Sequence, residues 1–280
     1  LIDLHTHTTE SDGTLTPELL VAEAAALGLE ALAITDHDTL LGYELAAEPA
    51  RRAGIELICG IELSTKLDGR TVHLLGYFLN DPPSAGFVSW LRQMQASRRE
   101  RNIRMAEKLR TFNMEITIQE VEALGRSIAG RPHFARLMVE KGYVRTIQQA
   151  FDDYLDESAK GYVDRYEPHL GEAIQRVRDA GGMASLAHPI RVHNQAAIPS
   201  MREIGLAALE AHHSDHSPAQ TRTYLALAEQ CGYAVTGGSD FHGSVKPGVR
   251  LGKPVVPRSV LDRLRERFRK PLPVETPRPA

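Results

Sequence analysis

The sequence predicts an α/β fold, a parallel sheet or barrel with a block of helices inserted into it. Three observations carry that prediction. Short apolar runs alternate with helical stretches over roughly the first 80 residues, as they do in parallel α/β architectures. A cluster of histidine and acid follows each early run, and ligands in such folds collect at the carboxyl ends of strands. The alternation lapses over 84–164, where only helical patterns are legible, and then resumes.

Taken in order, residues 2–5 read as a short buried strand running into His5-Thr6-His7, with a polar loop over 8–14. Thr16-Pro17-Glu18 starts a helix, with Thr as N-cap, Pro next and an acid in the first turn. That helix runs to Ala26, and Gly28 ends it. Residues 31–34 form a second strand, closing on Thr35-Asp36-His37-Asp38. A helical region over 39–53 stops at Gly54, and Pro49 inside it predicts a kink or a split. A third strand covers 55–63 and carries Gly60-Ile61-Glu62, Asp68-Gly69 makes a turn, and 72–78 returns as a fourth strand.

Within 84–164, one long helix covers 87–110, with Trp90, Leu91, Met94, Met105 and Leu109 as its apolar positions, and shorter helices cover 118–124, 132–141 and 147–155. Barrel logic resumes with a helix at 169–180 and a strand at 183–187 that ends on His188-Pro189. A short strand follows at 206–211, then a helix at 218–231 stopped by Gly232. The last strand, 234–236, runs into Gly237-Gly238-Ser239-Asp240-Phe241-His242, and a helix at 260–269 precedes a Pro-rich end expected to fray. The expected division is a barrel domain of 1–83 and 165–280, with 84–164 as a helical insertion over the barrel mouth.

With 280 residues, 42% hydrophobic, the chain can bury one large core or a core plus a subdomain. A net charge of -3 calls for neither nucleic acid nor a membrane. No run is long and apolar enough to span a bilayer, and no basic leader precedes an apolar stretch, so neither a membrane anchor nor a signal peptide is expected. Cys59, inside an apolar run, and Cys231 suit a reducing cytoplasm more simply than a disulfide.

Residues i and i+2 of a strand share a face, so His5 and His7 aim two imidazoles in one direction. Gathering the residues at strand ends yields His5, His7, Asp12, His37, Glu62, His73, His188, Asp240 and His242. Imidazoles and carboxylates without thiolates suit Mn²⁺, Fe²⁺ or Zn²⁺ rather than a structural cysteine site. The set exceeds the needs of one ion, so two or three divalent ions are expected, bridged by Glu62. Singly, each member has a plainer reading: His73 as a core histidine, Asp12 as a turn residue, Asp36 and Asp38 as helix caps. As a set they do not, because chance scatters histidines instead of placing them after successive strands. His212, His213 and His216 read as surface-loop residues, and His193 as a candidate proton donor beside the set.

Asp3-Leu4-His5-Thr6-His7, Ser11-Asp12-Gly13, Thr35-Asp36-His37-Asp38, Gly60-Ile61-Glu62, Leu186-Ala187-His188-Pro189 and Gly238-Ser239-Asp240-Phe241-His242 closely resemble the motifs of the PHP (polymerase and histidinol phosphatase) family. The resemblance spans 2–80 and 183–255. It implies a distorted (β/α)7 barrel with a trinuclear metal site. Carried over by position, one ion takes His5, His7, Glu62 and Asp240, a second shares Glu62 and takes His73 and His188, and a third takes Asp12, His37 and His242.

Closely spaced divalent ions lower the pKa of a bridging water. A hydroxide held by Glu62, Asp12 and His37 is thus the expected nucleophile in a phosphoester hydrolysis. The insertion is expected to supply substrate contacts, because Ser97-Arg98-Arg99-Glu100-Arg101-Asn102 is densely basic and Arg126, Arg131 and Lys160 add cations. Arg98 and Arg101 read as a solvated helix face. Arg99 and Asn102, three apart on one face, Arg131 and His133 at a helix start, and Lys160 are the expected contacts to a second phosphate or the sugar. The layout with Gly130-Arg131-Pro132-His133 resembles the PHP subgroup that removes the 3′-phosphate of nucleotide 3′,5′-bisphosphates, with Mn²⁺ as the expected metal. The alternatives are a 5′-to-3′ exonuclease on short RNA or DNA, a non-catalytic metal-binding module and, more remotely, an amidohydrolase. The small net charge and the lack of an aromatic-studded basic groove speak against long strands. No obligate protein partner is evident.

Overall fold

Strand parity organises the molecule. The computed structural model describes residues 1–125 and 128–269, so Arg126 and the Pro-rich end lie outside the described residues. Seven strands pair in sequence order as one sheet: β1 (Ile2–Asp3), β2 (Ala31–Ile34), β3 (Glu56–Leu67), β4 (Arg70–Phe78), β5 (Met183–Leu186), β6 (Ala208–His213) and β7 (Ala234–Gly238). Backbone hydrogen bonds from Leu4 to Gly237, from Asp240 to His5 and from His7 to Phe241 bring the last strand back to the first and nearly close a barrel. Ala31, Ala33, Ile58, Leu75, Tyr77 and Ala208 point to one face and pack together. Their strand neighbours Leu32, Ile34, Ile61, Leu74 and Leu209 pack on the other face, against the surrounding helices. Continuing the inward parity of Ile58 along β3 reaches Glu62, that of Tyr77 and Leu75 reaches His73, and that of Ala208 reaches Glu210. The apolar floor and the polar rim therefore belong to the same face of the sheet.

The (β/α)7 pattern is distorted at one place. β4 is antiparallel to both β3 and β5, joined to β3 by the Asp68-Gly69 turn. Because β4 runs backwards, His73, early in that strand, lies at the same rim as the strand ends of its neighbours.

α1 (Pro17–Ala26) starts where Thr16 accepts a hydrogen bond from the Leu19 N–H. α2 (Leu41–Ala53) ends on left-handed Gly54. The expected split at Pro49 does not occur, and α2 is one helix through it. The carbonyl that the proline leaves without a donor belongs to exposed Leu45, where solvent can satisfy it. β6 lies two residues later than expected and carries a bulge between Glu210 and His212. It therefore takes in His212 and His213, and the surface-loop reading of these two is corrected: His213 is buried, as is His216 just beyond the strand.

Between β4 and α7 (Leu170–Asp179) stand α3 (Ala85–Arg110), α4 (Ile118–Gly125), α5 (Arg131–Glu140) and α6 (Ile147–Ala150), which continues as a π turn over Phe151–Leu155. They bury an apolar cluster of their own around Met105, Leu109, Phe134 and Met138. The first half of α3 packs on the barrel through Phe87, Trp90, Leu91 and Met94. α8 (Pro218–Cys231) covers β6, and α9 (Arg258–Arg269) packs Leu261 and Leu264 on the barrel floor. Both cysteines are free. Among the described residues no helix is long and apolar enough to cross a membrane.

Candidate metal centre and anion pocket

The structure brings all nine strand-end residues to one rim. Glu62 is their hub. Its Oε2 lies 3.4 Å from His5 Nε2, 3.1 Å from His7 Nε2 and 3.3 Å from His37 Nδ1. Its Oε1 lies 2.8 Å from His73 Nδ1 and 2.9 Å from His188 Nε2. Asp240 Oδ1 stands 3.4 Å from both His5 and His7. Asp12 stands 3.6 Å from His37 and 3.3 Å from His242. Donor atoms of His5, His7, Glu62 and Asp240 all lie within 4.8 Å of one another, as do those of His7, Asp12, His37 and His242, and those of His37, Glu62 and His73.

Asp36 holds the loop that presents Asp12. Its carboxylate accepts from the Thr8 N–H at 2.7 Å, the Thr8 hydroxyl at 2.6 Å and the Ser11 hydroxyl at 2.6 Å. Gly42 lets α2 close on this carboxylate, since a Cβ there would meet Asp36 Oδ2 at 1.9 Å. Asp38, His188 and Asp240 have φ values of 52°, 26° and 55°. That is sparsely populated backbone for non-glycine residues, and the surrounding contacts hold it in place.

The electrostatics suit cations. Burial opposes ionisation of Glu62, Asp12 and Asp240, yet the facing histidines hold all three carboxyls well below the usual range. Burial also works against a charged His5, but Glu210, Glu62 and Asp240 raise it well above an ordinary imidazole. For His7 the same opposition, burial against Asp240 and Glu62, ends at about 9. Burial wins at His37, lowered to about 3, and at His188, lowered to about 4. His5 Nε2, His7 Nε2 and His37 Nδ1 are buried without a hydrogen-bond partner. Buried polar nitrogens are normally satisfied, so unpartnered imidazole nitrogens gathered with carboxylates around one point fit divalent metal ions.

The cavity, about 390 Å³, is lined on one side by Asp12, His37, Glu62, His73, His188, Asp240 and His242, and on the other by Arg98, Arg101, Arg131 and Arg165. Arg98 is ion-paired with Asp38 and lies 3.1 Å from the Ser64 hydroxyl. Arg165 reaches Asp38 at 3.5 Å and Glu167 at 3.0 Å. Despite burial, Arg98 and Arg165 together lower the Asp38 carboxyl to about 2. Arg101 is buried with no carboxylate at ion-pair distance among the described residues. Burial and the neighbouring Arg98, Arg165 and Arg131 cations depress its pKa well below that of an ordinary guanidinium. Arg98 Nε and Arg165 Nη1 are buried donors without partners. Guanidinium groups with unpartnered donors lining a cavity suit an anion.

The expected insertion contacts are mostly displaced. Of the five, Arg131 lines the cavity. Arg99 points to solvent and pairs with Glu122 at 2.6 Å. Asn102 is buried and donates to the Ala129 carbonyl at 2.7 Å. His133 Nδ1 accepts from the Gly130 N–H at 3.0 Å, capping α5 from inside. Lys160 stacks its ammonium on Tyr154, 4.1 Å from the ring centroid. The reading of Arg98 and Arg101 as solvated is corrected: both are buried, on the stripe that also carries Leu91, Met94 and Met105. That spacing was the available signal, and charge masked it. His193 is exposed and lines an adjoining cleft instead of this cavity. Also unforeseen were Arg165, Glu210, His213 and Lys246, the last 2.5 Å from Asp240 Oδ2.

A barrel rim that carries a carboxylate-bridged histidine cluster beside a guanidinium wall defines a metal-dependent phosphoesterase. The chain belongs to the PHP domain family, whose pattern matches residues 3–170. It is 34% identical to the 5′-3′ exoribonuclease Rnm of Escherichia coli, over 90% of this chain and 88% of that one. It is 31% identical to the 3′,5′-nucleoside bisphosphate phosphatase of Chromobacterium violaceum, over 90% of each. A solved structure from Bifidobacterium adolescentis, named provisionally as a metal-dependent phosphoesterase, superposes with a TM-score of 0.84 at 34% identity, covering 95% of this chain and 96% of that one.

Proposed function

We propose that this enzyme removes the 3′-phosphate of nucleotide 3′,5′-bisphosphates, such as adenosine 3′,5′-bisphosphate, with Mn²⁺ as its metal in the cytoplasm. The supporting observation is a single cavity with two complementary walls, one of histidines and carboxylates that suits metal ions and one of arginines that suits a phosphate. His5, His7, Glu62 and Asp240 would hold one ion, Glu62, His73 and His188 a second, and Asp12, His37 and His242 a third. When bound, such ions supply an activated water and neutralise charge on the phosphoryl oxygens. Arg98, Arg101, Arg131 and Arg165 hold the 5′-phosphate through guanidinium forks. Asp38 keeps Arg98 and Arg165 in place, and the helical segment 84–164 serves as the substrate-binding domain.

The similarity to the bisphosphate phosphatase of Chromobacterium violaceum supports this reading. Phosphate release from adenosine 3′,5′-bisphosphate with Mn²⁺ tests it against adenosine 3′-monophosphate. Losing the arginine contacts should cost the monophosphate about 10–100-fold in kcat/KM, the worth of one or two charge-assisted hydrogen bonds. No release from the bisphosphate sinks the assignment.

A second reading, 5′-to-3′ trimming of short RNA, is favoured by the similarity to Rnm and by a wide cleft of about 840 Å³ that adjoins the cavity and shares Thr71, Arg131 and Arg191 with it. That cleft mixes Lys66 and Arg70 with Asp68, Asp156, Glu157 and Asp164, so it is no track for a long polyanion. Turnover on the bisphosphate, a dinucleotide and a decamer separates the readings. A decamer turned over as fast as the bisphosphate would favour the nuclease.

A further inference from the structure

Glu210 sits beneath the candidate metal centre, fully buried, and neither oxygen faces the cavity. Its Oε1 accepts from His5 Nδ1–H at 2.8 Å, and its Oε2 accepts from the His188 backbone N–H at 2.6 Å. We infer that Glu210 is a positioning residue for the metal centre, whose one carboxylate sets the tautomer of His5 and the backbone of His188 together. This rests on the reading of His5 and His188 as metal ligands.

The first function follows from imidazole chemistry. A carboxylate at Nδ1 requires the proton there, which leaves Nε2 as the lone-pair nitrogen. That Nε2 is the atom buried without a partner, 3.4 Å from both Glu62 Oε2 and Asp240 Oδ1. The second function concerns strain. His188 has a φ of 26°, a conformation that L residues rarely adopt, and its N–H points at Glu210. Holding that turn directs the imidazole so that its Nε2 lies 2.9 Å from Glu62 Oε1. The inward parity of β6 and the bulge after Glu210 place the carboxylate between the two histidines.

Both hydrogen bonds arrive from donors, so the site accepts only a group with two acceptor ends. Glu210→Gln keeps the shape and breaks this requirement. If the amide oxygen faces His188, the NH₂ group faces His5 and forces its Nδ1 to accept, which moves the proton to Nε2 and blocks ligation. If the amide turns over, two N–H groups confront each other at His188. Glu210→Asp keeps both acceptors on a stem one methylene shorter that cannot reach both histidines.

The test titrates Mn²⁺ into metal-free protein and reads free Mn²⁺ by electron paramagnetic resonance, with thermal unfolding in chelator alongside. Thr236→Val is the control, because it removes a buried hydrogen bond, 2.7 Å to Ser185, directly across the β6–β7 register from Glu210 while leaving Glu210 and the nine rim residues in place. E210Q and E210D should each weaken the tightest Mn²⁺ site about 10–100-fold. In T236V that affinity should stay at the wild-type value although stability falls. If E210Q or E210D lowers only the unfolding temperature and binds Mn²⁺ like wild type, Glu210 is purely structural and the inference is overturned. If the wild type itself takes up no Mn²⁺, the metal-site reading fails first.

Discussion

His7 shows how a single side chain converts a fold into a pH response. Burial would keep it neutral, but Asp240 and Glu62 raise it to about 9 in the metal-free protein. The sign follows from the raised value. The proton on His7 stabilises the metal-free fold fully below its unfolded pKa near 6.5, and that contribution is lost as pH rises through about 9. A metal ion needs the imidazole neutral. Mn²⁺ affinity should therefore climb across that window, by up to about tenfold per pH unit, with protons released on binding. Calorimetric titration in buffers of different ionisation heat checks both, and an affinity flat from pH 6.5 to 9 contradicts the coupling. Glu62 and Asp12 reinforce the response, since both stay ionised throughout it.

Helix α3 joins the barrel to the anion wall. Its buried stripe carries Trp90, Leu91 and Met94, then Arg98, Arg101 and Asn102, then Met105 and Leu109, the spacing of one helix face. Arg99 lies off that stripe, paired with Glu122 in solvent. Replacing Arg101 with Met should raise KM for the bisphosphate about 10–100-fold with little change for an artificial aryl phosphate monoester, whereas Arg99→Met should leave both near wild type. Steady-state kinetics on the two substrates decides this, and equal losses on both would place Arg101 outside the second-phosphate site. Asp38 is the barrel's counterpart to α3. Asp38→Asn leaves Arg98 without its carboxylate partner, while Arg165 keeps Glu167, and should cost about 3–5 kcal/mol in chemical denaturation. In the wild type the lowered carboxyl at about 2 contributes stability that is complete above about pH 4 and lost as pH falls through 2, worth about 2 kcal/mol. Acid unfolding of wild type should be steeper than that of the variant below pH 4.

For the whole molecule, a rim of three ionised carboxylates and several histidines drawn from the loops and strands between residues 5 and 242 makes stability depend on cations. Binding to the folded state alone adds about 2.7 kcal/mol at a hundredfold excess over Kd. Mn²⁺ should therefore raise the unfolding midpoint by several degrees and chelator should reverse it. Differential scanning calorimetry reads the shift, and a midpoint indifferent to both would contradict a preformed site.

The sequence by itself determined the rim. Histidines and acids directly after apolar runs reach one edge because strand parity and parallel alternation are local rules, legible at His5, His7, Glu62 and Asp240 without knowledge of neighbours. The long helix and most element bounds were legible for the same reason. Only the tertiary structure decided which cations of α3 are buried, because the solvated and the pocket-facing reading of Arg98 to Asn102 differ only in what packs against the helix, and Asp38 and Arg165 arrive from elsewhere in the chain. It likewise decided Glu210 and His213, which belong to the histidine cluster through contacts to His5, His188 and Asp240 that no spacing along the chain encodes. Local periodicity specifies a side chain's direction; its partner, and hence its charge state and role, is set by the long-range packing that brings β6, β7 and α3 around one cavity.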